Sequence, residues 1–409
     1  MIRRLLYSIL VIALIAGLAI IIISYGRGYR FNFNQKTLSQ TGILSVSSYP
    51  EKSSIYIDDK LTSATNASIS LPPGWYHVRI SKEGYQPWEK NIRIQAEIVS
   101  QIDALLIPNN PSLRAITITG IKNPSLSASG NKVAYIIPQA EASSTSLIKP
   151  KTGIWVQDLR SNSLGGRSEP KQIFQTNISY EWENAKLLWS PDEKIIIMTI
   201  STIDKNNKET VKSAYSFVAD TLQTFPLDVT NNLSTILTEW QLLTNENLNK
   251  QLDALPKEIS EILREKTTDI HFSPDETKVL YLASASAALT KVITPPLIGS
   301  NPTMETRNLE KDKYYIYDVK EDRNYFLVDK KQINSPKSLL WYTDSKHILM
   351  IEKDTIYIVD YDGTNKKTVY TGPFLDDIIF PLPSDGKLAI LTSFNKPQSL
   401  PNLYELDLR

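Results

Sequence analysis

A chain of 409 residues is long enough for two or three domains with sizeable cores. Its 45 Lys and Arg against 44 Asp and Glu leave a net charge of +1, so no whole-chain field directs it to nucleic acid or acidic substrates. The absence of cysteine excludes thiolate metal sites, a cysteine nucleophile, disulfides and an acylated lipoprotein cysteine, while His77, His271 and His347 lie in separate parts of the chain.

The first element in chain order is an apolar helix. Leu5 to Ser24 carries no charge over twenty residues, which as a helix spans about 30 Å, the hydrocarbon thickness of a bilayer. The run is longer than a signal-peptide core and no A-x-A site follows it, so residues 1–30 are expected to be an uncleaved transmembrane anchor. Arg3 and Arg4 precede the span, and Arg27, Arg30 and Lys36 follow it. The short basic tip and long polar remainder predict an N-terminus inside and the bulk of the chain outside the cell membrane.

Residues 42–108 break into six period-two strands separated by turn residues: "ILSVSS", "SIYIDD", "ASISL", "WYHVRIS", "EKNIRIQ" and "SQIDALLI". Such a pattern predicts a small antiparallel β-sandwich with turns at Asp58-Asp59, Pro72-Pro73-Gly74 and Glu83-Gly84. Pro50-Glu51-Lys52-Ser53, Ile55 to Asp59, Gly74 to Val78 and Lys82-Glu83-Gly84-Tyr85 together resemble the PEGA domain. That family's pattern places Gly where Lys52 and Asp59 stand, Ala where Ser53 stands, and a Gly-x-Thr-Pro turn at Thr62 to Thr65. The resemblance implies a module of prokaryotic surface and envelope proteins with no catalysis of its own.

The remainder, 112–409, repeats one layout of apolar strand, tight turn and apolar strand. "LLWSPDEKIIIMTI" and "DIHFSPDETKVLYLA" share a Ser-Pro-Asp turn; "SLLWYTDSKHILMIE" and "DIIFPLPSDGKLAILT" carry weaker versions, and "NPSLSASGNKVAYII" is a fifth candidate. Pro191 and Pro274 pre-set φ for the turn, and Asp192, Asp275, Asp344 and Asp385 are placed to bond neighbouring backbone N–H groups. Further strands follow most copies, which predicts four-stranded β-propeller blades. The units resemble WD-repeat-like blades of Tol-system and prolyl oligopeptidase propellers. Those aspartates fall 83, 69 and 41 positions apart, whereas a blade needs about 40 to 50, so insertions are expected near 240–266 and 284–312. The first is an amphipathic stripe of Leu248, Leu252, Leu255, Ile259 and Ile262 broken at Pro256. About six blades are expected.

No GxSxG, HExxH, P-loop or GxGxxG occurs, so neither a catalytic elbow nor a cofactor or metal site is expected. "DYDGTN" at Asp360 to Asn365 lacks the spacing of a calcium loop. Tyr314, Tyr315, Tyr317 and Tyr325 form an aromatic cluster suited either to a sheet core or to stacking on a glycan or peptide. The sequence therefore predicts a mainly β, membrane-anchored envelope protein that binds a protein or surface glycan and is not an enzyme. The alternative is a propeller hydrolase, which would cluster inward-facing carboxylates about 5 to 10 Å apart at one mouth.

Overall fold

The computed structural model describes residues 2–26, 29–32, 37–138, 152–160, 166–175, 185–203, 209–375, 378–383, 386–393 and 400–408; in the first 39 residues only the side chains of Tyr7 and 9–23 are described. Helix α1 (Ile2–Gly26) leaves its apolar side chains uncovered, Leu10 being 63% and Ile22 68% exposed. Among the described residues no helix is long and apolar enough to cross a membrane.

The chain forms two compact units. One comprises 1–109 with 291–306 and 320–325; the other comprises 110–290, 307–319 and 326–409. In the first, strand Gly42–Tyr49 lies between Ala67–Leu71 and Val99–Leu105, and a second sheet runs in the order Lys60–Ala64, Ser54–Ile57, Gly74–Ser81, Trp88–Ile94. Leu44, Val46, Ile55, Val78, Ile80, Ile92 and Ile94 form the core between the two sheets. Alternation puts these side chains on inner faces, and burial of each stabilises by about 1.5–3 kcal/mol. Two features depart from the expected antiparallel six-strand sandwich. Gly42–Tyr49 pairs in parallel with Val99–Leu105, and Lys60–Ala64 is a seventh strand, an exposed edge whose side chains carry no apolar alternation.

The backbone shows why the PEGA-like pattern favours glycine. Lys52 and Asp59, at the two positions where that pattern has Gly, adopt φ of 57° and 62°, and Gly84 adopts 83°. Gly74 does not share this need: it opens strand Gly74–Ser81 without positive φ, and a Cβ there would meet only the Tyr76 ring at 3.6 Å. It is a strand residue, contrary to its expected turn role.

The second unit contains five four-stranded antiparallel sheets. From inner to outer strand, blade one is Lys122–Leu126, Lys132–Ile137, Gly153–Asp158, Lys171–Gln175, and blade two is Ala185–Trp189, Ile195–Ile203, Glu209–Val218, Leu227–Asp228. Blade three is Thr267–Phe272, Lys278–Ala283, Lys313–Asp318, Arg323–Asp329, and blade four is Leu339–Trp341, His347–Glu352, Thr355–Asp360, Lys367–Thr371. Blade five takes Ile379–Pro381, Lys387–Thr392 and Asn402–Asp407 from the end of the chain and its outermost strand, Ser112–Ala115, from the beginning of the unit. The five quoted copies are thus five blades, and among the described residues no sixth forms.

The wide spacings are filled by insertions. Helices α2 (Leu233–Asp253) and α3 (Lys257–Lys266) meet at Pro256, which stands at the N-cap of α3. Leu252, Leu255, Ile259 and Leu263 pack against Val279, Tyr281 and Tyr315 of blade three. The segment 284–312 opens with Ala287–Ala288 paired to Asn308–Leu309, and its middle, 291–306, belongs to the first unit. Replacing Gly84 by Ala is expected to cost about 1 kcal/mol, because an L-residue is strained at that φ. Lys52→Gly and Gly74→Ala should stay within about 0.5 kcal/mol of the parent or stabilise it. Urea unfolding measures all three; equal costs at Gly84 and Gly74 would contradict the backbone account.

Candidate functional site

Every blade joins its first two strands by the same hairpin. Ser127, Ser190, Ser273, Tyr342 and Leu382 each donate a backbone N–H to the carbonyl five residues on, at 2.8 to 3.0 Å. Gly130, Glu193, Glu276, Ser345 and Gly386 follow the turn with φ of 74°, 58°, 58°, 60° and 83°. Pro191 and Pro274 occupy the second turn position, the site that favours a fixed φ. Asp192 accepts Ser190 Oγ at 2.6 Å, and Asp275 accepts Ser273 Oγ at 2.7 Å and the Thr277 N–H at 3.1 Å. Burial alone would raise the Asp275 carboxyl, but these bonds outweigh it and hold the pKa at about 2. Asp344 accepts the N–H groups of Lys346 and His347. Asp385 lies outside the described residues.

A polar cross-strand pair that the sequence analysis did not single out recurs on the other side of the hairpin. A cation opens the second strand and a carboxylate closes the third: Lys132 faces Asp158, Lys278 faces Asp318, His347 faces Asp360 and Lys387 faces Asp407. Blade two replaces the pair with Ile195 and Val218. In blade four, His347 is buried, with Nδ1 2.6 Å from Asp344 Oδ2 and Nε2 3.2 Å from Asp360 Oδ1. Burial by itself pushes the imidazole pKa down, but attraction and hydrogen bonds from the two carboxylates outweigh it and raise it to about 10.

The inner strands of all five blades line a central channel of about 830 Å³. Blade three contributes Asp269 and His271, where a bulge with φ of 54° at Asp269 interrupts the pairing between Thr268 and His271. His271 Nε2 lies 2.8 Å from Asp269 Oδ1, and Tyr314 Oη donates to Asp269 Oδ2 at 2.8 Å. Burial would raise the Asp269 pKa, but the His271 and Tyr314 bonds prevail and lower it. Trp341 of blade four donates its indole N–H to His271 O at 2.9 Å, as Trp189 of blade two does to Ser125 O at 3.0 Å. Asn123, bulged like Asp269 with φ of 51°, donates to Ala185 O of the next blade. Lys186 and Lys337 add positive charge to the wall; Lys186 is paired with Glu209 at 2.7 Å. Asp269 is the one carboxylate among the described lining residues.

The tyrosines named as ligand contacts are not part of this wall. Tyr314, Tyr315, Tyr317 and Tyr325 are at most 1% exposed. Tyr315 stacks on Tyr281 at 6.0 Å, and its hydroxyl accepts the Glu310 N–H. Lys313–Asp318, the third strand of blade three, is buried along nearly its whole length, so ring size there fills core, and Tyr325 is buried on the fourth strand. His77 lies on an open face 3.9 Å from Glu89. Asp269 was legible only through the alternation in "DIHF", which places it beside His271, and the bulge between them was not.

The fold is a five-bladed β-propeller accompanied by a small β-sandwich, and residues 41–110 of the latter match the family described as PEGA domain. The chain is similar to a solved structure described as a TolB of Agrobacterium tumefaciens, at 15% identity over 71% of this chain and 84% of that one with a TM-score of 0.22. It is also similar to TolB from Acinetobacter baumannii (16%, 81% and 59%, TM-score 0.23) and to oligogalacturonate lyase from Vibrio parahaemolyticus (8%, 91% and 99%, TM-score 0.25). None of the curated proteins compared matches the chain. Stability should fall as pH rises from about 6.5, where an unfolded histidine is still half protonated, to the folded value near 10. The His347 contribution is complete below that window and lost through it, by about 1 kcal/mol per pH unit. Thermal unfolding from pH 6 to 10 measures this; an equally steep decline in His347→Gln would contradict the assignment.

Proposed function

We propose that the chain is an envelope protein that binds a partner protein through the mouth of its propeller channel and carries out no catalysis. The observation that carries this is the channel wall: five inner strands, an indole, two lysines, and a single carboxylate already bonded to His271 and Tyr314. Glycoside hydrolysis by the usual route uses two carboxylates, and a triad needs a nucleophile on the histidine. Neither arrangement is present among the described lining residues. An extended partner segment with acidic side chains suits Lys337, whose ammonium has no carboxylate partner within ion-pair distance among the described residues.

Membrane attachment and an extracytoplasmic location belong to the same proposal. They are supported by the uncharged run from Leu5 to Ser24, by the uncovered apolar surface of α1, and by the PEGA match. The N-terminus would then face the cytoplasm. Full-length protein is expected to pellet with membranes and to be released by detergent but not by alkaline carbonate, while a variant lacking residues 1–30 stays soluble. A photo-crosslinker at position 340, which also lines the channel, should capture an envelope protein, with capture reduced by Lys337→Glu and unaffected by Lys60→Glu. Recovery of the full-length chain in the soluble fraction would contradict the anchor. Glycan or peptide turnover abolished by Asp269→Asn at unchanged stability would replace binding by hydrolysis.

A further inference from the structure

A second cavity, about 330 Å³, lies within the first unit, where segment 291–306 and residues 320–325 sit beside the sheet that contains Gly74–Ser81. Its described lining residues include Trp75, Arg93 and Arg323 and no acidic side chain. That distinguishes it from the channel, which holds Asp269, and from the cavity at Arg114, where Glu405 and Glu169 offset the cations.

Trp75 and Arg93 are directly opposed on neighbouring antiparallel strands, so their side chains share one face of the sheet. Trp75 remains 59% exposed, on a module with ample core to have buried it. Arg323 reaches the same cavity with Nε and Nη2 donating to Ser300 Oγ at 3.2 and 3.0 Å. A guanidinium has five N–H donors, so a hydroxyl acceptor fixes its position and leaves donors and its full charge available. The opposite wall is held in place. Gly299, with φ of 79°, donates its N–H to Gln95 Oε1 at 2.8 Å, and a Cβ on it would stand 2.8 Å from Ile98 Cγ2. Asp322 Oδ2 accepts the N–H groups of Val292 and Ile293, and Glu321 accepts that of Asn301. The long Pro- and Ser-containing segment is therefore bound down along its length at the cavity, with Leu297 and Ile298 presenting apolar surface at its rim.

We infer that this cavity is a binding site for an acidic sugar unit of a glycan. The volume admits one sugar ring with its substituents, being near the lower end of ligand pockets. Indole offers a broad apolar face against which the C–H face of a ring packs. Two guanidiniums without carboxylate partners among the described residues supply the fork that recognises a carboxylate, and Ser300 and Gln95 lie within the wall to meet hydroxyls. A bare anion would use the arginines and leave the indole idle. A neutral sugar would use the indole and leave two desolvated charges unmatched. This site is independent of the propeller channel.

The test is titration of the full chain with a glucuronate-containing oligosaccharide, a neutral glucan of equal length, inorganic phosphate and a nucleoside monophosphate, followed by calorimetry and tryptophan fluorescence. The uronate oligosaccharide is expected to bind at least about tenfold more tightly than the other three. Arg93→Gln and Arg323→Gln should each weaken it by about tenfold or more, Arg323→Lys by less, and Trp75→Ala should remove the fluorescence change. Arg93 is exposed, so its replacement leaves folding intact even where Arg323 variants lose stability. Lys337→Glu in the propeller channel should leave the titration unchanged. Absence of uronate binding, equal binding of the neutral glucan, phosphate or nucleotide, or affinity that survives both arginine substitutions would each overturn the proposal.

Discussion

The propeller depends on one piece of pairing: strand Ser112–Ala115 hydrogen-bonds to Asn402–Asp407, joining the two ends of the unit in a single blade. Without it the last blade would have three strands and an open edge. The junction is reinforced where the chain leaves that strand. Thr117 Oγ1 and the Gly120 N–H both donate to Asn402 Oδ1, at 3.0 and 2.9 Å, and the Leu403 N–H donates to Thr117 Oγ1 at 2.9 Å. Gly120 is required there twice over, by φ of 75° and by Leu400 Cβ 2.7 Å from where its own Cβ would stand. Glu405, on the closing pair, is buried between Arg167 and Lys387, and their charges outweigh the effect of burial to lower its pKa.

Closure has consequences at the centre of the ring. Blades that cannot splay hold their inner strands at fixed separation, and the bonds from Trp189 to Ser125 and from Trp341 to His271 tie neighbouring inner strands together. Bulges at Asn123 and Asp269 then turn polar side chains toward the channel without breaking the outer pairing. Among the described lining residues the wall holds an indole, two lysines and the hydrogen-bonded Asp269–His271 pair. The β-sandwich differs, since its exposed Trp75 and exposed Arg93 share one strand face.

Much of this architecture was legible in the sequence, and the reasons differ by element. Second strands such as "KVLYLA" and "HILMIE" are covered on both faces and read as continuous apolar runs. The turns were legible because their geometry demands particular residues, Pro before Asp and then Gly or a tolerated left-handed residue. Blade number was overestimated because the 83-residue interval resembles two blades, whereas helices α2 and α3 and a long hairpin fill it. The cation–carboxylate pairs were hidden because Lys278 and Asp318 are forty positions apart and meet only through register. The role of the tyrosines was left between core and ligand contact, because an aromatic strand has the same composition whether it faces a ligand or, as Tyr315 does, a neighbouring core residue. The channel escaped altogether, being assembled from one short strand of each of five blades.

Hydrogen–deuterium exchange of the full chain tests the closed five-blade ring most directly. The account predicts that amides of Ser112–Ala115 and Asn402–Asp407 exchange in the slow class, together with the second strands of all five blades, through one cooperative opening. Rapid exchange confined to those two closing strands, while the other four blades remain protected, would show a ring that is open in solution and would contradict the account.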